Sequence, residues 1–155
     1  MVISRFVIES ASTSGAPART AVQRRGIERV QAILDSAEAL LAQKGYAAAT
    51  LKAIGEHAGI PTASLYHYFA DRGQVEAELV RRHIPEIDER FTASLYDSNV
   101  RTLRDGVDAM IDPLLAYFRD NPAFVQLWFA GRSATLTELG ELFDESWADK
   151  LWRFL

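Results

Sequence analysis

The chain has 155 residues, a formal net charge of −4, 48% apolar residues and no cysteine. This composition is that of an ordinary folded domain, so it excludes a disordered chain, a collagen-like repeat, a disulfide scaffold and a thiolate metal site. No apolar run approaches the roughly 18 residues of a membrane span, and the apolar stretch 1–8 is too short for a signal peptide. We therefore expect a cytoplasmic protein without a membrane partner.

The charge is unevenly distributed along the chain. Residues 1–83 contain ten Lys or Arg and eight Asp or Glu, a net of +2, whereas residues 84–155 contain seven and thirteen, a net of −6. All three histidines lie in the first part. The acidity therefore belongs to the second half, and the overall charge does not argue against a nucleic-acid partner for the first half.

Residues 1–21 are predicted to form a flexible arm, because they combine small residues, glycine and proline without periodicity. A long helix is predicted from Val22. Its apolar residues follow the i, i+3, i+4, i+7 spacing of one helix face: Val30, Ile33, Leu34, Ala37, Leu40 and Leu41. Gly45, directly after Lys44, is a typical helix stop.

Three shorter helical segments follow. Thr50 is predicted to cap the second helix, which ends at Gly59, and a third helix is predicted over residues 62–69. Asp71 is predicted to cap a fourth helix, with Gln74 at its third position in a variant of the capping box.

The second half is also predicted to be helical, which makes the fold class all-α. Pro85 lies inside or at the end of the fourth helix, and further helices are expected over roughly 86–96, 100–119, 122–131 and 136–154. Pro113 should kink the second of these, and Asn121-Pro122 is a typical helix start. The last helix has an apolar stripe formed by Leu136, Leu139, Phe143, Trp147, Leu151 and Phe154.

Residues 50–69 have the features that a helix-turn-helix needs. Gly59 allows a turn with positive φ, and Gly55 allows the two helices to approach each other closely. The positions that must wedge between the helices are apolar, namely Ile54, Ala58, Ile60 and Leu65. Within this motif, the helix predicted over residues 62–69 is the one that would enter a DNA major groove. Its outer face carries small or hydrogen-bonding side chains, as such a helix requires.

The stretch 24–79 resembles the TetR family of one-component transcriptional regulators. The resemblance rests on AQKGYAAAT at the end of the first helix, on IGEHAGI, and above all on SLYHYFADRGQVEAEL with its aromatic run. It implies an N-terminal helix-turn-helix DNA-binding domain (22–83, motif 50–69) followed by a helical ligand-binding and dimerisation domain (84–155). Pro61 and Gly73 depart from the family pattern, and the helix cap that Pro61 replaces is expected to move to Thr62.

The resemblance also implies roles for individual residues. The start of the recognition helix, where base edges are read, matches Thr62, Ala63 and Ser64. Positions that contact the DNA backbone match Thr50, Tyr66 and His67. Arg72 matches a lysine that contacts phosphate at the start of the fourth helix, and an arginine there keeps the charge.

Other residues allow two interpretations. Arg24 and Arg25 form either an ordinary solvated face or an arm that reaches a phosphate or the minor groove. Tyr68 and Phe69 are expected in the core, and His57 on a helix surface. The histidines lack metal-ligand spacing, and no nucleophile motif, phosphate-binding loop or supported carboxylate pair is present, so we expect neither an enzyme nor a cofactor.

The second half is rich in aromatic residues, which form either a plain core or the lining of an apolar pocket. The pocket candidates are Met110, Leu114, Tyr117, Phe118, Trp128 and Phe129, with Asp112 or Arg132 as a polar partner. The apolar stretch 150–155 ends in mid-pattern, so either the last helix forms the dimer interface or the chain is truncated and further helices pack there.

The sequence thus favours a DNA-binding regulator. It would bind a palindromic operator as a homodimer, and as a repressor it would leave the DNA when a small hydrophobic effector binds. The alternative is a helical adaptor protein whose helix-turn-helix is purely structural.

Overall fold

The computed structural model describes residues 16–97 and 100–130, together with residues 137, 140, 141, 145, 147–150 and 152. Its elements in chain order are α1 (Ala16–Lys44), a 3₁₀ turn (Tyr46–Ala48), α2 (Leu51–Ala58), α3 (Thr62–Leu65), α4 (Arg72–Leu95), α5 (Leu103–Asp120) and α6 (Pro122–Ala130). Since these described parts contain helices and no strand, the predicted all-α fold is confirmed.

The first helix begins earlier than the sequence pattern indicates. α1 starts at Ala16 rather than Val22, so residues 16–21 of the predicted arm are helical, and residues 1–15 lie outside the described residues. Pro17 is compatible with this start, because the N–H that proline lacks has no partner in the first turn of a helix. Alanine has a high helix propensity, and this stretch contains several.

α4 is continuous from Arg72 to Leu95, with Pro85 inside it. The predicted boundary between residues 83 and 84 and the separate helix over 86–96 therefore both fall within one helix. Proline removes one backbone hydrogen bond, but Pro85 itself is exposed. The buried residues on either side of it anchor the helix to the core: Leu79, Val80, His83, Ile87 and Phe91.

The core lies where α1, α4 and α6 meet, and α5 packs against α4 and α6. α1 contributes the face that its periodicity predicts, with Ile33, Leu34, Ala37, Leu40 and Leu41 buried and Val30 partly buried. None of the helices in the described ranges combines the length and the apolar character that a bilayer crossing requires.

Local signals define the ends of α5 and α6. Thr102 accepts from the N–H of Asp105, and the Asp105 carboxylate accepts from the N–H of Thr102 in a complete capping box. The N–H of Arg101, which donates to the Asp105 carboxylate at 3.0 Å, and the two Thr102 contacts hold the pKa of Asp105 below its ordinary value. Pro122 opens α6 as predicted, while the Asn121 amide donates to the carbonyl of Tyr117 at the end of α5.

From the predicted last helix, residues 147–150 are described and helical. The Trp147 ring stacks on Phe91 of α4 at 4.6 Å between centroids, and Lys150 pairs with Asp88 and donates to Thr92. The other members of the predicted stripe (Leu136, Leu139, Phe143, Leu151 and Phe154) lie outside the described residues.

Candidate nucleic-acid interface

The helix-turn-helix unit, residues 50–69, is built by local backbone signals. The Thr50 hydroxyl caps α2 by accepting from the N–H of Ala53 at 3.2 Å. Gly59 ends α2 in the left-handed conformation, with φ of 66°. The N–H of Ile60 then donates to the carbonyl of Gly55 at 2.9 Å and directs the chain into α3. The predicted cap and turn are both present.

α2 and α3 approach each other at Gly55. A Cβ atom built there would lie 2.9 Å from the backbone oxygen of Ile60, a distance that no side chain tolerates. The predicted wedge is also present, because Ile54, Ile60 and Leu65 are buried and Ala58 packs against them. The small residue at position 55 is therefore a geometric requirement of the unit.

α3 is shorter than predicted and has no side-chain cap. It covers Thr62–Leu65 and is followed by tight turns that end at Phe69. Pro61 occupies the cap position, and its carbonyl accepts from the N–H groups of Ser64 and Leu65 at 2.8 and 3.1 Å. The expected shift of the cap to Thr62 is therefore wrong, since Thr62 is already the first helical residue.

The outward face of the unit carries small polar and aromatic side chains. Tyr66 is 55% exposed, Ala63 and His67 are exposed, and Thr62 and Ser64 are partly exposed. Thr50 is exposed at the start of α2. Phe69 is buried and Tyr68 packs against the core, as predicted, and His57 is exposed. The structure thus separates buried supporting residues from a solvent-facing set.

Arg72 stands at the start of α4, where Asp71 accepts from the N–H of Gln74 and Gln74 accepts from the N–H of Ala70. Its guanidinium donates to a Glu76 carboxylate oxygen at 2.6 Å and to the carbonyl of Tyr46 at 2.7 Å. The same group lies 3.9 Å above the Tyr46 ring. Arg72, for which a phosphate contact is predicted, is therefore already bonded to other residues of the protein.

Arg24 and Arg25 lie inside α1 and are exposed. Arg24 lies 3.4 Å from the Glu28 carboxylate in an i, i+4 pair whose two side chains are both largely solvated. Since α1 contains both arginines, they project from the surface of a helix.

The predicted pocket residues separate into a buried and an exposed group. Tyr117 is 1% exposed, and the candidates that are partly buried are Met110, Leu114, Phe118 and Trp128. Phe129 is 71% exposed, so among the described residues it lies on the surface instead of lining an enclosed cavity. Asp112 is exposed as well, and Arg132 lies outside the described residues.

Two clefts formed by described residues lie away from these candidates. One of about 360 Å³ is bounded by Tyr68, Phe69, Gln74, Ala77, Glu78 and Arg81, between the helix-turn-helix unit and α4. Another of about 240 Å³ lies between α1 and the start of α6, with Asp35, Glu38 and Asp120 on its walls. Both are partly polar, and neither is the apolar pocket that the aromatic content suggests.

A buried hydrogen-bond chain joins α1, α4 and α5, and sequence reasoning missed it. His83 is 5% exposed, with Nδ1 at 2.5 Å from the Tyr117 hydroxyl and Nε2 at 3.3 Å from Glu38. The hydrogen bond from His83 holds the pKa of Glu38 below its ordinary value, and burial raises the pKa of Tyr117 to about 12. No local pattern predicts this contact, because its residues are far apart in sequence.

The His83 ring also belongs to an aromatic cluster with Tyr117, Phe118, Phe124 and Trp128. Beside it, Arg82 donates to Gln31, Asp35 and Glu38 and so ties α4 to α1. The two adjacent residues of α4 therefore fasten this helix to α1 with charged and neutral hydrogen bonds.

Comparison with known proteins supports the interpretation of the first half. The family described as bacterial regulatory proteins, tetR family, matches residues 33–79, which include the helix-turn-helix unit and the start of α4. The HTH-type transcriptional repressor KstR2 of Mycobacterium tuberculosis is 33% identical over 82 residues, which cover 53% of this chain. The match spans 35% of that repressor, so the chain corresponds to about a third of its length.

Solved structures extend the likeness over more of the chain. A TetR-family transcriptional regulator from Streptomyces coelicolor is 30% identical, with a TM-score of 0.54 and coverage of 76% of this chain and 68% of that one. The TetR family transcriptional regulator PfmR of Thermus thermophilus has a TM-score of 0.61 over 80% of this chain and 66% of its own, at 16% identity. At that identity the second likeness concerns the fold alone.

Proposed function

The chain belongs to the tetR family of bacterial regulatory proteins, and from this premise we propose that it is a sequence-specific DNA-binding transcriptional repressor. The observation that supports the proposal most is the two-sided construction of the helix-turn-helix unit. Ile54, Ile60 and Leu65 hold α3 from the inside, while the outward face of α3 is open to solvent.

The outward residues have the size and chemistry for a major groove. Ala63 presents a methyl group, and Thr62 and Ser64 present hydroxyls that both donate and accept hydrogen bonds. We assign base reading to these three residues. Thr50, Tyr66 and His67 are assigned to the sugar-phosphate backbone, where hydroxyl and imidazole groups position the protein without reading sequence.

The exposed Arg24 and Arg25 of α1 add positive charge to this half of the molecule, and we assign them to phosphate contacts. The acidic second half, with its net charge of −6, keeps the rest of the protein away from the duplex. Related regulators include a protein named as an HTH-type transcriptional repressor, which supports repression rather than activation.

The proposed regulation is release from DNA when a small hydrophobic effector binds the second half. A homodimer must place its two recognition helices about 34 Å apart, one turn of DNA. α4 runs from the helix-turn-helix unit to the aromatic cluster, so a shift of α5 or α6 would move it, with Pro85 as a candidate hinge. The effector acts only through different affinities for the two helix spacings.

The test is DNA binding by the wild-type protein and two glutamate variants. The probe is a pool of fluorescent duplexes of about 30 base pairs with a randomised centre, enriched by the protein itself and followed by anisotropy. We expect enriched half-sites with two-fold symmetry and an affinity that falls steeply with salt. Absence of binding at low salt would favour the adaptor alternative.

The matched variants are Ala63→Glu and Ala93→Glu. Both alanines are exposed, but Ala63 lies in α3 and Ala93 near the end of α4. A carboxylate on α3 would be repelled by phosphates, so we expect Ala63→Glu to lose at least about tenfold in affinity and Ala93→Glu to bind normally. Equal effects from the two variants would contradict the assignment of α3 to DNA.

A further inference from the structure

Arg72 joins the two ends of the helix-turn-helix unit. Its Nη2 donates at 2.7 Å to the carbonyl of Tyr46, in the 3₁₀ turn that precedes α2. Its Nε donates at 2.6 Å to Glu76, in the first part of α4 that follows α3. The Tyr46 ring lies below the guanidinium at 3.9 Å. One side chain thus links the 3₁₀ turn before α2 to the helix after α3.

The contact is largely withdrawn from water. The side chain of Glu76 is 5% exposed and that of Arg72 is 27% exposed. Apolar residues of α1, α2, α4 and the loop before α2 surround the pair and share with it a void of about 10 Å³: Ala37, Leu41, Ala49, Ile54, Val75 and Leu79. A buried carboxylate in such surroundings requires its cationic partner, so the guanidinium is held to Glu76.

We propose that Arg72 is a positioning residue, which fixes the helix-turn-helix unit between the 3₁₀ turn and α4 instead of contacting a DNA phosphate. The inference rests on the proposed function, since it concerns how the DNA-reading face is held. Arg72 ties Tyr46 to Glu76, and this link fixes the orientation of α3 relative to the core. We call the contacts of Arg72 with Tyr46 and Glu76 the clamp. Because recognition geometry is sensitive to small displacements, the clamp determines the affinity for DNA by holding α3 in place, without touching the DNA.

The clamp and a phosphate contact make different demands on the side chain. A phosphate contact needs a positive charge, which lysine also provides. The clamp needs two donors in a fixed planar arrangement and a flat group over the Tyr46 ring, which lysine lacks. The variant Arg72→Lys therefore separates the two roles.

For Arg72→Lys we expect a loss of about tenfold in affinity for the enriched duplex, at every salt concentration. The control is Arg104→Lys, at a position on α5 whose side chain is 90% exposed and whose Asp108 partner is 4.0 Å away. That variant should bind like the wild type. Circular dichroism at the assay temperature confirms that each variant is folded. Wild-type affinity for Arg72→Lys would overturn the inference.

A double-mutant cycle with Glu76→Gln gives a second readout. The sign of the change in DNA affinity shows whether Glu76 is a bystander or anchors Arg72. Removing a negative charge near DNA should strengthen binding if Glu76 is a bystander. If Glu76 anchors Arg72, Glu76→Gln weakens binding, and the cycle with Arg72→Gln shows a coupling of about tenfold. Additive effects in the cycle would contradict the clamp.

The salt dependence completes the test. Loss of one phosphate contact lowers the slope of log affinity against log salt by about one, whereas loss of a positioning contact leaves the slope unchanged. We expect an unchanged slope for the double variant Arg72→Gln/Glu76→Gln, in which no buried charge is left alone. If the wild type bound no duplex, the proposed function would fail together with this inference. If the wild type bound and the slope fell by one in the double variant, the inference alone would fail.

Discussion

Tyr66 and Tyr117 carry the same side chain in two regions of the protein and have opposite surroundings. Tyr66 follows α3 and is 55% exposed, on the outward face of the helix-turn-helix unit. Tyr117 of α5 is 1% exposed, binds His83 through its hydroxyl and packs edge-on against Phe124. The helix-turn-helix unit therefore leaves polar groups exposed to solvent, whereas the aromatic cluster uses them in internal contacts.

This difference shows how each region is specified. In the helix-turn-helix unit, glycine conformations and caps determine the chain path, and the side chains on the outer face stay available. In the aromatic cluster, contacts between distant residues determine the arrangement, and side chains that look suitable for a ligand contact one another instead. Alanine substitution of the two tyrosines should therefore affect different properties.

The largest effect is expected for Tyr117→Ala. Removing a fully buried aromatic ring should lower the free energy of unfolding by about 3–5 kcal/mol, because it leaves a cavity and an unpaired His83 Nδ1. The matched change Tyr66→Ala should cost about 1 kcal/mol or less and instead weaken DNA binding. Urea unfolding and anisotropy titrations measure the two properties.

The variant Tyr117→Phe isolates the hydroxyl. It keeps the ring contacts but removes the hydroxyl that hydrogen-bonds to His83 Nδ1, so we expect a cost of about 1–3 kcal/mol, smaller than that of Tyr117→Ala. If Tyr117→Phe were neutral, the 2.5 Å contact would not stabilise the fold, and the buried chain from Glu38 to Tyr117 would have to be reconsidered.

The helix-turn-helix unit was predictable because its signals are local. Thr50, Gly55, Gly59 and Asp71 act within a few residues of their own positions, so spacing and residue type were enough to place the cap, the close approach and the turn. The start of α1 was not predicted, because the stretch before Val22 lacks apolar periodicity and contains a proline. Its alanines nevertheless favour a helix.

The contacts of Arg72 and His83 were not predictable. Arg72 contacts the Tyr46 carbonyl across the whole helix-turn-helix, and His83 meets Tyr117 across the α4–α5 connection. Both contacts depend on how helices pack, and sequence periodicity does not specify this. The continuity of α4 through Pro85 has the same origin, because buried residues on both sides outweigh the lost hydrogen bond.

A smaller effect tests whether the backbone conformation at Gly59 stabilises the helix-turn-helix unit. Gly59→Ala places a Cβ in open space but in a left-handed conformation, with φ of 66°. We expect a loss of about 1–2 kcal/mol in the free energy of unfolding. Gly26→Ala, also with open space around the new Cβ but inside α1, should stabilise by about 0.5–1 kcal/mol. The same sign for both variants in urea unfolding would show that conformation at Gly59 is not what matters.

The smallest expected effect concerns Glu38, which joins α1 to α4 beside the aromatic cluster. Its pKa lies below the ordinary value of 4.5, chiefly because of the hydrogen bond from His83, and Arg82 lowers it further. A carboxyl group whose pKa is lowered on folding stabilises the fold above its unfolded pKa and loses that contribution as the pH falls through its folded pKa. The groups that face Glu38 are Arg82 and His83 of α4, and Arg82 also binds Asp35 of α1.

We therefore expect Glu38→Gln to be less stable than the wild type at neutral pH, with a difference that shrinks as the pH falls below the ordinary carboxyl pKa of 4.5 and through the lower folded-state pKa. The difference should be about 1 kcal/mol or less, because Glu38 remains partly in contact with water. Urea unfolding at a series of pH values measures it, and Glu28→Gln on the exposed face of α1 is the control. A difference between wild type and Glu38→Gln that persisted unchanged into acid would show that Glu38 joins α1 to α4 through the shape of its side chain rather than through its charge.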